Sequence, residues 1–166
     1  MRFLTGTFTT LALLASAFSP ANAAPSQGAH GVTVRPADGE TVVAGAPFPF
    51  EYAPANACHD GYTPIGVYIG REAPSFEKDV QDNGHLRPGS FIFQFGDWLI
   101  PNFGLPPSQP PPPPPAIFLP EFPNVANNTK LYLTVVETSI NCPPGPPAVS
   151  PKYGLETTSV VYVTLV

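Results

Sequence analysis

Between Pro101 and Pro123 the chain places 11 prolines in 23 residues, six of them consecutive at Pro110–Pro115. Proline has no backbone N–H and its ring clashes with the preceding helical turn, so this stretch can form neither a helix nor an inner strand. Residues 101–123 are therefore expected to form a proline-rich loop in the polyproline II conformation, rising ~3.1 Å per residue. A second group over Pro143–Pro151 predicts another loop, and 25 prolines in 166 residues argue against any long helix. The rest of the chain is left with short strands joined by turns.

The apolar pattern supplies those strands. Val32-Thr33-Val34 alternates and meets Pro36-Ala37-Asp38-Gly39, which reads as strand, tight turn and strand, with Thr41-Val42-Val43 resuming after the turn. Gly45 marks a second bend, after which Phe48, Phe50 and Tyr52 recur with period two, opposite Pro47 and Pro49. Further period-two runs lie at Ile65, Val67 and Ile69, at Phe91, Phe93 and Phe95, and at Leu131, Leu133 and Val135. Val161, Val163 and Leu165 form the apolar face expected of a terminal strand over Ser159–Val166. Arg71 to Pro88 is the most polar stretch and is expected to be a surface excursion. Ile117-Phe118-Leu119 is an apolar island that would pin the far end of the proline segment to the core. About seven such strands, with no convincing amphipathic helix, predict an all-β fold. The expected architecture is an immunoglobulin-like antiparallel β-sandwich forming a single domain over residues 24–166.

Charge excludes other classes. Only 11% of residues are charged, 12 acidic against 7 basic, while 43% are hydrophobic. A solvated acidic tail would need more charge, and a nucleic-acid binder would need clustered Lys and Arg to neutralise phosphates. At the N-terminus, Arg2 precedes an uncharged run from Phe3 to Phe18 and then Ala21-Asn22-Ala23. This predicts a secretory signal peptide over residues 1–23, and no membrane span is expected elsewhere. The apolar C-terminal run is too short for the tail of a lipid-anchor signal, so no lipid anchor is expected. In an oxidising compartment the two cysteines, Cys58 and Cys142, are expected to form a disulfide contributing ~2–4 kcal/mol, and neither carries zinc-ligand spacing. Asn127-Asn128-Thr129 is the one N-glycosylation acceptor triplet, with Asn127 as the acceptor.

Gly31-Val32-Thr33-Val34-Arg35-Pro36, followed by Gly39, Gly45 and Phe48-Pro49-Phe50-Glu51-Tyr52, resembles the opening of fungal secreted immunoglobulin-like domains such as those of the Kre9/Knh1 family of cell-wall glucan assembly. The family's Trp at the end of the third strand is Tyr52 here. More loosely, the chain resembles small secreted proteins of mushroom-forming fungi, with Cys-x-x-Gly-Tyr beginning at Cys58 and Thr-Val-Val-Glu ending at Glu137. The resemblance implies a compartment, extracellular or cell wall, and a fold. It implies no activity.

Candidate chemistry is sparse. His59-Asp60 and His85 are weighed as metal ligands or as a base with its orienting carboxylate, and Glu77, Asp79 and Asp82 as glycosidase carboxylates. All lie in expected loops, where solubility is the simpler role. No Gly-x-Ser-x-Gly elbow occurs. The reading leans away from an enzyme, with no catalytic residue, metal or cofactor assigned. Sugar faces stack on exposed aromatic rings, and Tyr62, Tyr68 and Trp98 are the rings that the strand periodicity leaves freest for glycan contact. The expected function is a secreted, non-enzymatic β-sandwich acting as a cell-wall-associated module that binds glycan or an extracellular protein. The alternatives are a secreted effector-like factor acting on another organism, or a small secreted carbohydrate-active enzyme.

Overall fold

The computed structural model describes residues 25–140 and 151–165. The expected signal peptide, Cys142 and residues 143–150 lie outside the described residues. The described residues form ten strands and one short helix: β1 (Ser26–Gln27), β2 (Val32–Arg35), β3 (Glu40–Val43), β4 (Ala46–Pro49), β5 (Glu51–Ala53), β6 (Tyr62–Gly70), α1 (Phe76–Asp79), β7 (Phe93–Pro101), β8 (Ala116–Leu119), β9 (Thr129–Ser139) and β10 (Lys152–Val163). The fold is the expected all-β sandwich.

One layer has the order β1-β10-β9-β6-β7, with β3 added in parallel to the far end of β10. The opposing layer consists of two pairs, β2 with β5 and β4 with β8. Strands β4 and β5 are halves of one stretch whose alternation continues through Phe50: Phe48, Phe50 and Tyr52 are buried, while Pro47, Pro49, Glu51 and Ala53 face outward. These inward rings meet Ile65, Val67 and Ile69 of β6 and Leu131, Leu133 and Val135 of β9 in one apolar core.

Several expectations change at this level. The turn at Pro36–Gly39 does not make a hairpin, because β2 pairs with β5 and β3 with β10, so the turn carries the chain from one layer to the other. Asp38 secures it by accepting from the Ser159 backbone N–H at 2.9 Å and from the Ser159 hydroxyl at 2.6 Å. The terminal strand starts at Lys152 rather than Ser159, and its buried face is Val160 and Tyr162 rather than Val161, Val163 and Leu165. Tyr162 fixes that phase: its hydroxyl accepts from the Phe122 N–H at 2.9 Å, and its ring packs 5.8 Å from that of Phe122. The excursion after β6 is no solvated loop either. Phe76, Val80 and Leu86 are buried with Tyr68, Val136 and Tyr153 in a second cluster on the outer face of the large sheet.

The proline segment is likewise shorter as a loop than expected, since Pro101 ends β7 and Ala116–Leu119 is a strand. Its consecutive prolines connect the two layers: Pro111 O accepts from Leu99 N–H on β7 at 3.1 Å, and Pro115 O accepts from Phe50 N–H at 3.0 Å. β7 ends the sheet order, so this run borders its open edge. Residues without an N–H can accept from an edge but cannot extend it as a new strand, which guards the edge against pairing with other chains.

The layers are also joined at a polar point. Glu137, fully buried on the core-facing side of β9, accepts at Oε2 from the Tyr52 hydroxyl at 2.8 Å, Gly31 N–H at 2.8 Å and Ala55 N–H at 3.2 Å, and at Oε1 from Asn56 N–H at 3.2 Å. Burial, reinforced by Glu137, holds the Tyr52 phenol well above the ordinary tyrosine range. Removing the carboxyl leaves four donors without their partner, the Gly31 N–H and Tyr52 hydroxyl among them buried, so Glu137→Ala is expected to lower stability by about 3–5 kcal/mol and Tyr52→Phe by about 1.5–3 kcal/mol. Urea unfolding measures both, and a Glu137→Ala loss below about 1 kcal/mol would contradict this role.

Candidate functional site

A cleft of about 400 Å³ opens on the outer face of the large sheet, where the excursion and the proline run approach each other. Its floor is Pro64–Gly66 of β6 and Asp97–Leu99 of β7. Asn83, Gly84 and His85 form one wall, Gln109 and Pro110 the other, and Thr138 of β9 closes an end.

A β-bulge builds this floor. The β6–β7 register runs regularly from Tyr62 opposite Pro101 to Val67 opposite Gly96, then skips so that Tyr68 lies opposite Gln94. In a regular strand residues 94 and 97 would face opposite sides, but the extra residue brings both to the outer face. Gln94 Nε2 consequently donates to both Asp97 carboxylate oxygens at 3.0 Å, which orients the half-exposed carboxylate. Gly66 leaves the space: a Cβ there would lie 3.0 Å from Asp97 Oδ1 and 2.8 Å from the Tyr68 hydroxyl oxygen.

His85 is brought in by the small turn of the excursion. Gly84, at φ +79°, packs against Tyr153 with no room for a Cβ, and its N–H donates to Gln81 O at 3.0 Å. His85 Nδ1 then lies 3.0 Å from the Tyr68 hydroxyl and 3.8 Å from Asp97 Oδ1. Burial, with Asp97 nearby, pushes the Tyr68 phenol up from 10.0 to about 12, so it stays protonated and uncharged across the neutral range. Among the described residues no Lys or Arg lines the cleft, and Asp97 is its one carboxylate.

The residues singled out from the sequence are scattered. Tyr68 is 1% exposed and offers no ring face to a sugar, because the ring packs 5.0 Å from Phe91 beneath the excursion. Trp98 sits opposite Ile65 on the core-facing side, its ring 6.0 Å from Phe50. Tyr62 lies at the far end of β6 and donates to Pro106 O at 3.0 Å. Tyr68 and Trp98 thus occupy opposite faces of one sheet, and the three rings form no common patch. His59 and Asp60 also part company: His59 is exposed and stacks 6.4 Å from Phe103, while buried Asp60 accepts from Ile140 N–H at 3.0 Å. Asp79 accepts from Ser75 N–H at 2.7 Å at the start of α1. Cys58 is buried, and its expected partner Cys142 lies outside the described residues. Asn127 is exposed, with Oδ1 accepting from Asn128 and Thr164 N–H, each at 3.0 Å. Among the described residues no group of three or more His, Cys, Asp or Glu is placed to hold a metal, and no helix is long and apolar enough to cross a membrane.

Asp97, Gln94 and Gly66 drew no attention in the sequence. The available signal was Gly96, which breaks the period-two aromatic run as a bulge glycine does. No family model, curated protein or solved structure matches the chain.

A phenol with a raised pKa favours the folded state below its unfolded value and loses that contribution as pH climbs towards the folded one. Tyr68 therefore stabilises the fold fully below about pH 10, and some 2–3 kcal/mol of that is lost between about pH 10 and 12. Urea midpoints measured across this range are expected to fall less steeply in Tyr68→Phe than in the wild type.

Proposed function

We propose that this protein is a secreted, non-enzymatic binding module that engages cell-wall glycan through the outer-face cleft. The observation carrying this reading is the Asp97 carboxylate, oriented by Gln94 and half-exposed in a concave site that also offers the amides of Asn83 and Gln109. Sugars present vicinal hydroxyls on a ring with apolar C–H faces. A carboxylate with neighbouring amides matches the hydroxyls, and Pro64, Leu99 and Pro110 supply apolar surface for the ring. A Cys58–Cys142 disulfide belongs to the same reading. The Asp60 bond to Ile140 draws the chain two residues before Cys142 to within two residues of Cys58. Asn127, exposed in a turn, is the proposed glycan attachment site.

A second reading is supported by the smaller layer. Its outward positions include Val32, 61% exposed, Val34, 44%, and Phe118, 58%, with Pro47 and Pro49 among them. A patch of this kind suits an extracellular protein partner.

Incubating the secreted protein with insoluble β-glucan, chitin and chitosan separates these readings. The expected result is retention on at least one polymer with no soluble sugar released, and a loss of about tenfold or more in Asp97→Ala at unchanged melting temperature. Retention on none would defeat the glycan reading, and soluble products would defeat the non-enzymatic one. Endoglycosidase treatment is expected to lower the mass of the wild type and leave Asn127→Gln unchanged.

A further inference from the structure

We infer that the outer-face cleft selects a cationic amino sugar, a glucosamine unit bearing a free ammonium, over neutral glucose or N-acetylglucosamine units. The inference rests on the glycan reading above and adds the ligand's charge class. Among the described residues Asp97 is the only carboxylate lining the cleft, and it meets no Lys or Arg there. Its two oxygens accept from one neutral amide, Gln94 Nε2, so neither faces a fixed cation. The groups surrounding it are accountable. From β6, the Tyr68 phenol is uncharged, and Gly66 contributes no side chain. From the excursion, His85 is the only side chain among the described lining residues able to carry positive charge, and its Nδ1 lies 3.0 Å from the Tyr68 hydroxyl and 3.8 Å from Asp97 Oδ1. From β9 and the proline run come Thr138 and Gln109, both neutral. The chain as a whole carries a net charge of −5, so the background field adds to the attraction for a cation.

An ammonium beside this carboxylate gains a charge-assisted hydrogen bond that a hydroxyl or acetamide cannot match. The remaining lining fits a sugar better than a bare cation. The Asn83 and Gln109 amides and the Thr138 hydroxyl are spaced around the cleft, and Pro64, Leu99 and Pro110 give the ring apolar walls. A lysine side chain would use the carboxylate alone.

Calorimetric titration of the secreted protein at about pH 6 and low salt, where carboxylates are ionised and sugar amines largely protonated, tests this with four soluble probes. These are oligomers of glucosamine, of N-acetylglucosamine, of β-linked glucose, and of lysine. The glucosamine oligomer is expected to bind about fivefold tighter than either neutral sugar, with the preference abolished at about 0.5 M salt and in Asp97→Asn. The salt series uses the unaltered protein, so the test survives a variant that fails to fold. Equal affinity for all three sugars would overturn the amino-sugar selection and leave the glycan reading standing. Oligolysine binding as tightly as the glucosamine oligomer would also overturn it, because charge without a sugar ring would then suffice. Binding to none of the sugars would remove both.

Discussion

The carboxyl of Glu137 joins the two layers of the sandwich. Apolar packing between sheets is non-directional, so by itself it tolerates sliding of one layer over the other. Four donors converging on one buried carboxyl from Gly31, Tyr52, Ala55 and Asn56 do not, because each loses a partner when the layers move. This point fixes where β2 and β5 sit over β9, and thereby where Phe48 and Phe50 meet the rings of β7. Phe95 packs edge-on 5.7 Å from Phe48, and Trp98 6.0 Å from Phe50.

With the layers held, the side bordered by β7 would be open. The proline run closes it by accepting from Leu99 and Phe50 while offering no N–H to a passing strand. The same placement brings Gln109 and Pro110 over the outer face of β7, opposite the excursion that carries His85. The cleft is thus a by-product of protecting an edge and covering an apolar sheet face. The β-bulge adds its polar centre by turning Gln94 and Asp97 the same way.

Much of the fold was legible because strand side chains alternate. Phe48, Phe50 and Tyr52, Ile65, Val67 and Ile69, and Leu131, Leu133 and Val135 all face the core as their spacing predicts. Where both faces of a strand carry apolar residues, alternation loses its meaning. In β10 the choice between Val160 with Tyr162 and Val161 with Val163 depended on the contact with Phe122, 40 residues away in the chain. The excursion misled for a related reason: its charges outnumber its apolar residues, yet Phe76, Val80 and Leu86 suffice to cover Tyr68 and Val136. The site was the least legible part. Rings that periodicity leaves free need not be exposed, and Tyr68 is buried by a segment that composition assigns to solvent.

By itself the sequence determined the fold class and most inward faces, because local rules suffice for them: proline cannot join a ladder, and period two sorts side chains between faces. Tertiary structure alone decided that Asp97 and His85 share a cleft, with Gln94 turned to the same face as Asp97, while the rings of Tyr62, Tyr68 and Trp98 form no common patch. That outcome depends on which strand lies beside which, on one extra residue in the register between β6 and β7, and on how an excursion and a proline run pack over them. Those are long-range pairings, and no local spacing encodes them.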